Sequence, residues 1–150
     1  MISDMTLSRV QSPVETKDGL QMEVVKATII STEVRQAWLK LRQSNAELWS
    51  PHFDLRMFDV LAQYAPHPKL AVVRKGADIV ALLPFQGRIG GLARPLGAPL
   101  SDQHALIQTA STDIDLIDVL HAINVTGFVF TGLRQHVPSA VKSEESVSRC

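Results

Sequence analysis

Cysteine is almost missing from this chain, because the only one, Cys150, is the last of its 150 residues. A single thiol forms no intramolecular disulfide and supplies no cysteine-based zinc site. This cysteine usage is typical of a reducing compartment. We therefore expect a cytoplasmic protein without disulfides and without a bound metal.

Net charge and long apolar runs are missing as well. Fifteen basic and fifteen acidic residues cancel, so no global field attracts the chain to nucleic acid or to an anionic membrane surface. The longest apolar run, Ile79–Leu83, is far shorter than the about twenty residues that span a bilayer. Residues 1–9 contain no apolar stretch typical of a secretory signal. These absences argue against a nucleic-acid partner, a membrane span and secretion.

The chain does contain enough apolar material for one domain, since 45% of its residues are hydrophobic. Residues 1–20 are polar and without period, which predicts a flexible leader. Residues 135–150 also lose any hydrophobic period, which predicts an unstructured tail. The expected domain is therefore 21–134.

The first half of this domain predicts one strand followed by two helices. The β-branched run 22–30 is typical of a strand. Ser31 or Thr32 can cap a helix in which Val34, Trp38 and Leu41 share one apolar face, so we expect Trp38 to lie in the core. A second helix is expected between the Ser-Pro break at 50–51 and Pro66.

The second half predicts a hairpin, an extended segment, a third helix and a last strand. Runs 69–73 and 78–83 flank a turn containing Gly76. Thr112 to Asp115 reads as a capping box for a helix ending near Asn124, and 127–133 is strand-like. The order β-α-α-β-β-extended-α-β predicts an α+β fold with helices packed on a mixed sheet.

A glycine-rich pattern lies between the hairpin and the third helix. Arg88-Ile-Gly-Gly91-Leu-Ala93 has the form R-x-x-G-x-A, with which acetyl-CoA-dependent enzymes of the GNAT superfamily hold a pyrophosphate. Such a loop needs a helix directly after it, because the free N–H groups at a helix start bind the anion. Pro95 and Pro99 follow instead and oppose a helix there. A Gly/Pro-rich turn with extended flanks is the favoured interpretation, which leaves Arg88 and Gly91 as weak cofactor candidates.

Several further segments resemble the N-terminal region of the CelD-like branch of the GNAT superfamily, which is linked to cellulose and exopolysaccharide biosynthesis. The resemblance covers about residues 21–134. Its segments are Phe53-x4-Phe58, Leu70-Ala-Val-Val-Arg-Lys-Gly, Asp78-Ile-Val-Ala-Leu-Leu-Pro-Phe85 and Gly91-Leu-Ala-Arg-Pro-Leu-Gly-Ala-Pro-Leu-Ser-Asp102.

This resemblance implies an acyltransferase with a GNAT-like, largely antiparallel sheet flanked by helices. It implies acetyl-CoA or another acyl-CoA as co-substrate and a small-molecule or saccharide acceptor. In the family two such units lie side by side and the later one holds most of the acyl-CoA. The chain therefore resembles an N-terminal half, which is incomplete or truncated relative to the family and would leave cofactor binding to a C-terminal half.

Three polar residues after Pro99 are the candidate acceptor site, together with Arg94. Ser101, Asp102 and His104 lie close together in sequence, and alternation in an extended segment puts residues 102 and 104 on one side. Asp102 and His104 could act as a base and its orienting partner, although Ser-Asp after proline is also an ordinary turn or helix cap. Arg94 could bind a CoA phosphate or an acidic sugar, or remain a solvated surface arginine.

Three functional classes are left open by the sequence. The first is the N-terminal part of an acyltransferase that acts on an amine or hydroxyl. The second is a non-catalytic module that binds a saccharide or a protein partner. The third is an inactive remnant with an uncovered sheet edge. The acyl group, the acceptor and the oligomeric state, including a homo-oligomer, are not determined by the sequence.

Overall fold

The computed structural model describes residues 9–16, 19–87, 92–96, 106–109, 114–123, 125 and 127–128. These residues form an α+β fold, as the element order predicted. The elements are β1 (Arg9–Glu15), β2 (Leu20–Lys26), α1 (Thr32–Ser44), two 3-10 turns (Ala46–Leu48 and Pro51–Phe53), α2 (Leu55–Tyr64), β3 (Pro68–Lys75), β4 (Asp78–Gly87), β5 (Leu92–Pro95), β6 (Ile107–Gln108), α3 (Leu116–Ala122) and β7 (Gly127–Phe128).

One sheet joins the seven described strands in the order β1-β2-β3-β4-β5-β7, and β6 pairs separately with β4. The pairs from β1 to β5 and the pair β4–β6 are antiparallel. Strands β5 and β7 are parallel, with Leu92 opposite Gly127 and Ala93 opposite Phe128. A parallel pair needs a crossover connection, and here the chain between the two strands contains α3. The largely antiparallel sheet that the sequence predicted is confirmed.

The sheet has a helical layer on each face. Alternate residues of β3 point to opposite faces, so Leu70 and Val72 join one buried cluster while Ala71 and Val73 join another. The first cluster contains the apolar residues of α1 and α2, and the second contains those of α3. The sheet therefore separates an α1–α2 face from an α3 face.

Helix α1 follows the sequence prediction closely. Ser31 is the N-cap, and its hydroxyl oxygen accepts a hydrogen bond of 3.2 Å from the Val34 amide. Val34, Trp38 and Leu41 are its buried residues. The Trp38 indole Nε1–H donates to the Phe53 carbonyl at 2.9 Å, and its ring centroid lies 4.7 Å from that of Phe58. The core position predicted for Trp38 is confirmed.

The second helix and the hairpin are also confirmed. Helix α2 begins after its N-cap Asp54 and ends at Tyr64, shortly before Pro66. Strands β3 and β4 pair with Lys75 opposite Asp78, which leaves a two-residue turn. Gly76 in that turn has φ of +63°, a left-handed conformation that favours glycine.

The N-terminal prediction needs a correction. Residues 9–15, within the expected flexible leader 1–20, form β1, which pairs with β2 through Val14 opposite Met22. The sequence of this strand contains Pro13 and lacks the strict apolar alternation by which strands are recognised in a sequence. Its register with β2 is also irregular. The described element order is therefore β-β-α-α-β-β-β-β-α-β, and the tail at 135–150 lies outside the described residues.

The start of the third helix differs from its prediction as well. Asp115 is the N-cap of α3, and its Oδ1 atom accepts a hydrogen bond of 2.9 Å from the Ile117 amide. The expected capping box would have started the helix at Thr112, which lies outside the described residues. Ile114, the residue before this N-cap, is buried in the α3-face cluster and is not part of the helix. The helix therefore begins after Ile114.

Ion pairs connect α1 to its neighbours. Arg74 of β3 contacts Glu33 at 2.8 Å and the buried Glu23 at 3.5 Å. The hydrogen bond from Arg74 lowers the pKa of Glu33. Arg35 of α1 contacts Asp59 of α2 through two hydrogen bonds of 2.9 and 3.0 Å, which raise the pKa of Arg35. The packing of α1 against β3 and α2 therefore accounts for the positions of these charged side chains.

Candidate functional site

The candidate site begins at β5, where the direction of pairing in the sheet changes. β5 is antiparallel to β4 on one side and parallel to β7 on the other. Arg94 directly follows Ala93, the last β5 residue in the described pairing with β7. Arg94 therefore lies near the carboxyl end of β5, next to the pairing of this strand with β7.

Arg94 is held by its register with β4. It pairs with Gln86, which is almost completely buried, and both residues face the α1–α2 side together with Leu96. Arg94 itself is half-buried. Its Nε atom is buried, and within the described part of the chain it has no hydrogen-bond partner.

A buried N–H of a guanidinium without an acceptor is unfavourable, because the group has lost water and gained no replacement. An oxygen supplied by a bound ligand would restore the missing hydrogen bond. Since the guanidinium is always charged, an anionic oxygen from a carboxylate or phosphate is the acceptor that suits it best. The placement of Arg94 is compatible with anion binding, one of the two interpretations that the sequence left open, and this role stays a prediction.

The other predicted site residues lie outside the described residues. These residues are Ser101, Asp102, His104, Arg88 and Gly91. In chain order Ser101, Asp102 and His104 follow β5 and precede β6, so the connection that leaves the carboxyl end of β5 contains them. Their grouping with Arg94 stays a prediction.

The flank of the glycine-rich segment is described, and it is extended. Gly87 pairs with Ala93 and Phe85 pairs with Pro95, so residues 92–95 continue the sheet as β5. No helix follows the segment directly, because its next described element is this strand. The extended flank predicted from Pro95 and Pro99 is confirmed on the side that the structure describes.

Sequence reasoning missed a cation at the end of β4. A Cβ atom on Gly87 would lie 3.0 Å from the Lys69 ammonium nitrogen, so the glycine leaves room for this side chain. Lys69 is opposite Phe85, which places it on the α3 face of the sheet. A lysine at the start of a strand carries no distinctive sequence signal, and only the register of β3 with β4 brings it to Gly87.

The turn before β3 contains the one described non-glycine residue with positive φ. His67 has φ of 48° between two prolines and is exposed. Its carbonyl accepts a hydrogen bond of 3.2 Å from the Gly87 amide. The left-handed backbone is unfavourable for a residue with a Cβ atom, and this bond helps to hold it. The turn thereby fixes the end of β4, from which the glycine-rich segment continues.

In the described ranges, no group of three His, Cys, Asp or Glu side chains is arranged to hold a metal ion. No helix in the described part of the chain has the length and apolar character needed to cross a bilayer.

Comparison of the chain with protein-family models, curated proteins and solved structures gave no match. The chemistry of Arg94 and its surroundings is therefore the main structural guide to function.

Proposed function

We propose that this chain is the N-terminal unit of a GNAT-like acyltransferase that transfers an acyl group from acyl-CoA to an amine or hydroxyl of a saccharide acceptor in polysaccharide biosynthesis. The observation that carries the proposal is Arg94 of β5, whose buried Nε atom has no hydrogen-bond partner among the residues that the structure describes. The anionic group bound there would be the carboxylate of an acidic sugar or a phosphate of CoA.

The reaction of this class is a direct transfer. The acceptor oxygen or nitrogen attacks the thioester carbonyl, a hydrogen-bond donor stabilises the oxyanion, and a base accepts the proton of the nucleophile. The C–S bond of the tetrahedral intermediate then breaks, so that the acyl group stays on the acceptor and CoA leaves as its thiol after taking up a proton. In the proposal Arg94 holds the anionic group. Of Asp102 and His104, one would accept the proton as the base and the other would orient it, and Ser101 would contribute to binding the acceptor.

The geometry of β5 supports a proposal in which most of the acyl-CoA is bound by a second unit and not by this chain. The residues after the glycine-rich segment pair with β4 as a strand, so their amides do not form the free helix start that binds a pyrophosphate. The proposal therefore assigns acceptor binding to this chain and most of the acyl-CoA binding to a second unit outside residues 1–150.

The test is acyl transfer from radiolabelled acetyl-CoA to a panel of amino sugars, uronic acids and oligosaccharides. The protein is the product of the complete reading frame that contains this chain, with the 150-residue chain tested in parallel. Arg94→Gln is expected to lower transfer about tenfold or more, because a charge-assisted hydrogen bond to the ligand is lost. Arg56→Gln is the matched control, since the Arg56 side chain is 91% exposed, and it should leave transfer unchanged.

The outcomes separate the candidate functions. Labelled product that depends on Arg94 would support the acyltransferase. Thermal stabilisation by an oligosaccharide, with neither CoA binding nor transfer by the complete product, would favour the non-catalytic saccharide module. Transfer that responds equally to the two arginine substitutions would contradict the role of Arg94, and absence of both transfer and ligand binding would contradict the proposed function.

A further inference from the structure

An exposed tryptophan lies beyond the end of α1. Trp49 is 61% exposed, although its indole Nε1–H donates a hydrogen bond of 3.0 Å to the Arg42 carbonyl. The Arg42 guanidinium in turn donates to the carbonyls of Leu48 and Trp49, at 2.9 and 3.1 Å. One edge of the indole is therefore held against the end of the helix, while most of the side chain is open to solvent. An aromatic ring that is already ordered loses little conformational entropy when a ligand covers it.

Hydrogen bonds also connect Trp49 to strand β6. The Arg42 carbonyl accepts a second hydrogen bond, of 3.3 Å, from the Asn45 amide, so the indole and Asn45 meet at one oxygen atom. The side-chain amide of Asn45 donates to the Gln108 carbonyl at 2.9 Å. Trp49 is thus linked, through the end of α1, to the place where Gln108 pairs with Ala81 of β4.

Arg94 and Trp49 are related through one edge of β4. Strand β3 occupies the other edge along its whole length, so β5 and β6 both pair with β4 on the same side. Arg94 is opposite Gln86 and Gln108 is opposite Ala81, and these two β4 positions lie about 17 Å apart along the strand. Because Arg94 faces the side of the sheet that α1 covers, one ligand of about this length can contact both residues.

The two residues suit different parts of a ligand. The buried Nε of Arg94 has no hydrogen-bond partner among the described residues, and the residue is only half-buried, so its guanidinium is open to an anionic oxygen. The face of the Trp49 indole carries a partial negative charge, which attracts the C–H groups on the face of a pyranose ring. Its chain neighbours, the buried Leu48 and the half-buried Ser50, add no exposed apolar side chain. A single indole face suits one sugar ring, whereas a protein partner needs a larger apolar patch.

We infer that the acceptor is an acidic saccharide chain that contacts both Arg94 and Trp49. The charged sugar lies at Arg94, and another sugar of the same chain stacks on the Trp49 indole. A monosaccharide is too short to span about 17 Å, so the acceptor is an oligosaccharide or a polysaccharide. This inference rests on the proposed function, to which it adds the length of the acceptor and a second contact.

The test is an NMR titration of the isotopically labelled chain with glucuronate, cellohexaose and a hexasaccharide of β-1,4-linked glucuronate. The chain has two tryptophans, so the indole N–H signals of Trp38 and Trp49 are resolved from each other. Both hexasaccharides should shift the Trp49 signal saturably and leave that of the buried Trp38 unchanged. The charged hexasaccharide should bind about tenfold more tightly than glucuronate, because it adds the aromatic contact.

Substitutions at the two positions separate their contributions. Trp49→Ala should weaken both hexasaccharides about tenfold and leave glucuronate unchanged, while Trp49→Phe keeps an aromatic ring and should weaken them less. Arg94→Gln should weaken glucuronate and the charged hexasaccharide, but not cellohexaose. Ile29→Ala is the control, because Ile29 is 51% exposed and lies in the turn before α1, at the opposite end of that helix.

Acyl transfer by the product of the complete reading frame distinguishes this inference from the proposed function. Transfer to the charged hexasaccharide that falls with Trp49→Ala, while transfer to glucuronate does not, would support the inference. Transfer that depends on Arg94 but not on Trp49, or equal effects of Trp49→Ala and Ile29→Ala, would overturn the inference and leave the proposed function standing. Hexasaccharide binding that depends on Trp49, without transfer to any acceptor, would support the saccharide contact and contradict the proposed function.

Discussion

The indole of Trp38 offers the sharpest test of how the core is held together. Trp38→Phe removes the Nε1–H donor from the buried Phe53 carbonyl, which costs about 1–3 kcal/mol when that oxygen is left without a partner. The smaller ring also leaves part of the buried site next to Phe58 unfilled, which adds about 1 kcal/mol. The expected loss of unfolding free energy is therefore about 2–4 kcal/mol. For a domain of this length, this corresponds to about 6–12 °C in Tm.

The chain contains its own control for this substitution. Trp49 makes a similar hydrogen bond, from Nε1–H to the Arg42 carbonyl at 3.0 Å, but the residue is 61% exposed. Water can replace this bond, so Trp49→Phe should change stability by no more than about 0.5 kcal/mol.

Urea denaturation followed by far-UV circular dichroism measures both variants. Each variant keeps one of the two tryptophans, so fluorescence can check that unfolding is two-state. Equal destabilisation of the two variants, or a loss below about 0.5 kcal/mol for Trp38→Phe, would refute the argument from burial.

Two other positions give predictions from local geometry. Asp54 caps α2 and accepts hydrogen bonds from the Arg56 side chain and backbone amide, which lower the pKa of Asp54 to about 2. Asp54→Ala should cost about 1 kcal/mol in urea denaturation at neutral pH. Because the pKa of Asp54 is lower in the folded state, its charged carboxylate stabilises the fold at pH values above the unfolded pKa of about 4. The difference in unfolding free energy between wild type and Asp54→Ala should therefore shrink as the pH falls toward 2. A difference that grew would contradict this explanation. Gly76→Ala should cost about 1 kcal/mol by chemical denaturation, although no atom lies within 4 Å of the added Cβ, because φ is +63°. Gly76→Asn should cost less, and equal losses would argue against the backbone explanation.

The parts of the fold that the sequence predicted have local causes. Val34, Trp38 and Leu41 recur at helical spacing, and Ser31 stands at the position of the cap, so α1 follows from neighbouring residues alone. The β3–β4 hairpin follows in the same way from two β-branched runs and Gly76 between them. In both cases the interactions that define the element lie within a few residues of one another.

The parts that sequence reasoning missed depend on pairing between distant residues. Strand β1 has few apolar residues, and its position is set by β2 rather than by its own pattern. The buried Nε of Arg94 and the approach of Lys69 to Gly87 both arise from the register of β4 with its neighbours. Composition and spacing indicated Arg94 as a candidate, but they gave no information on which of its atoms would be buried without a hydrogen-bond partner among the described residues.

The irregular strand β1 affects how the protein behaves at high concentration. It is the outermost described strand on its side of the sheet, where unpaired backbone groups could recruit a strand from another molecule. Pro13 has no N–H to donate, and the shifts in register on both sides of Gln11 interrupt the regular ladder that an incoming strand would need. Both features disfavour edge-to-edge pairing of β1 with a strand of another molecule.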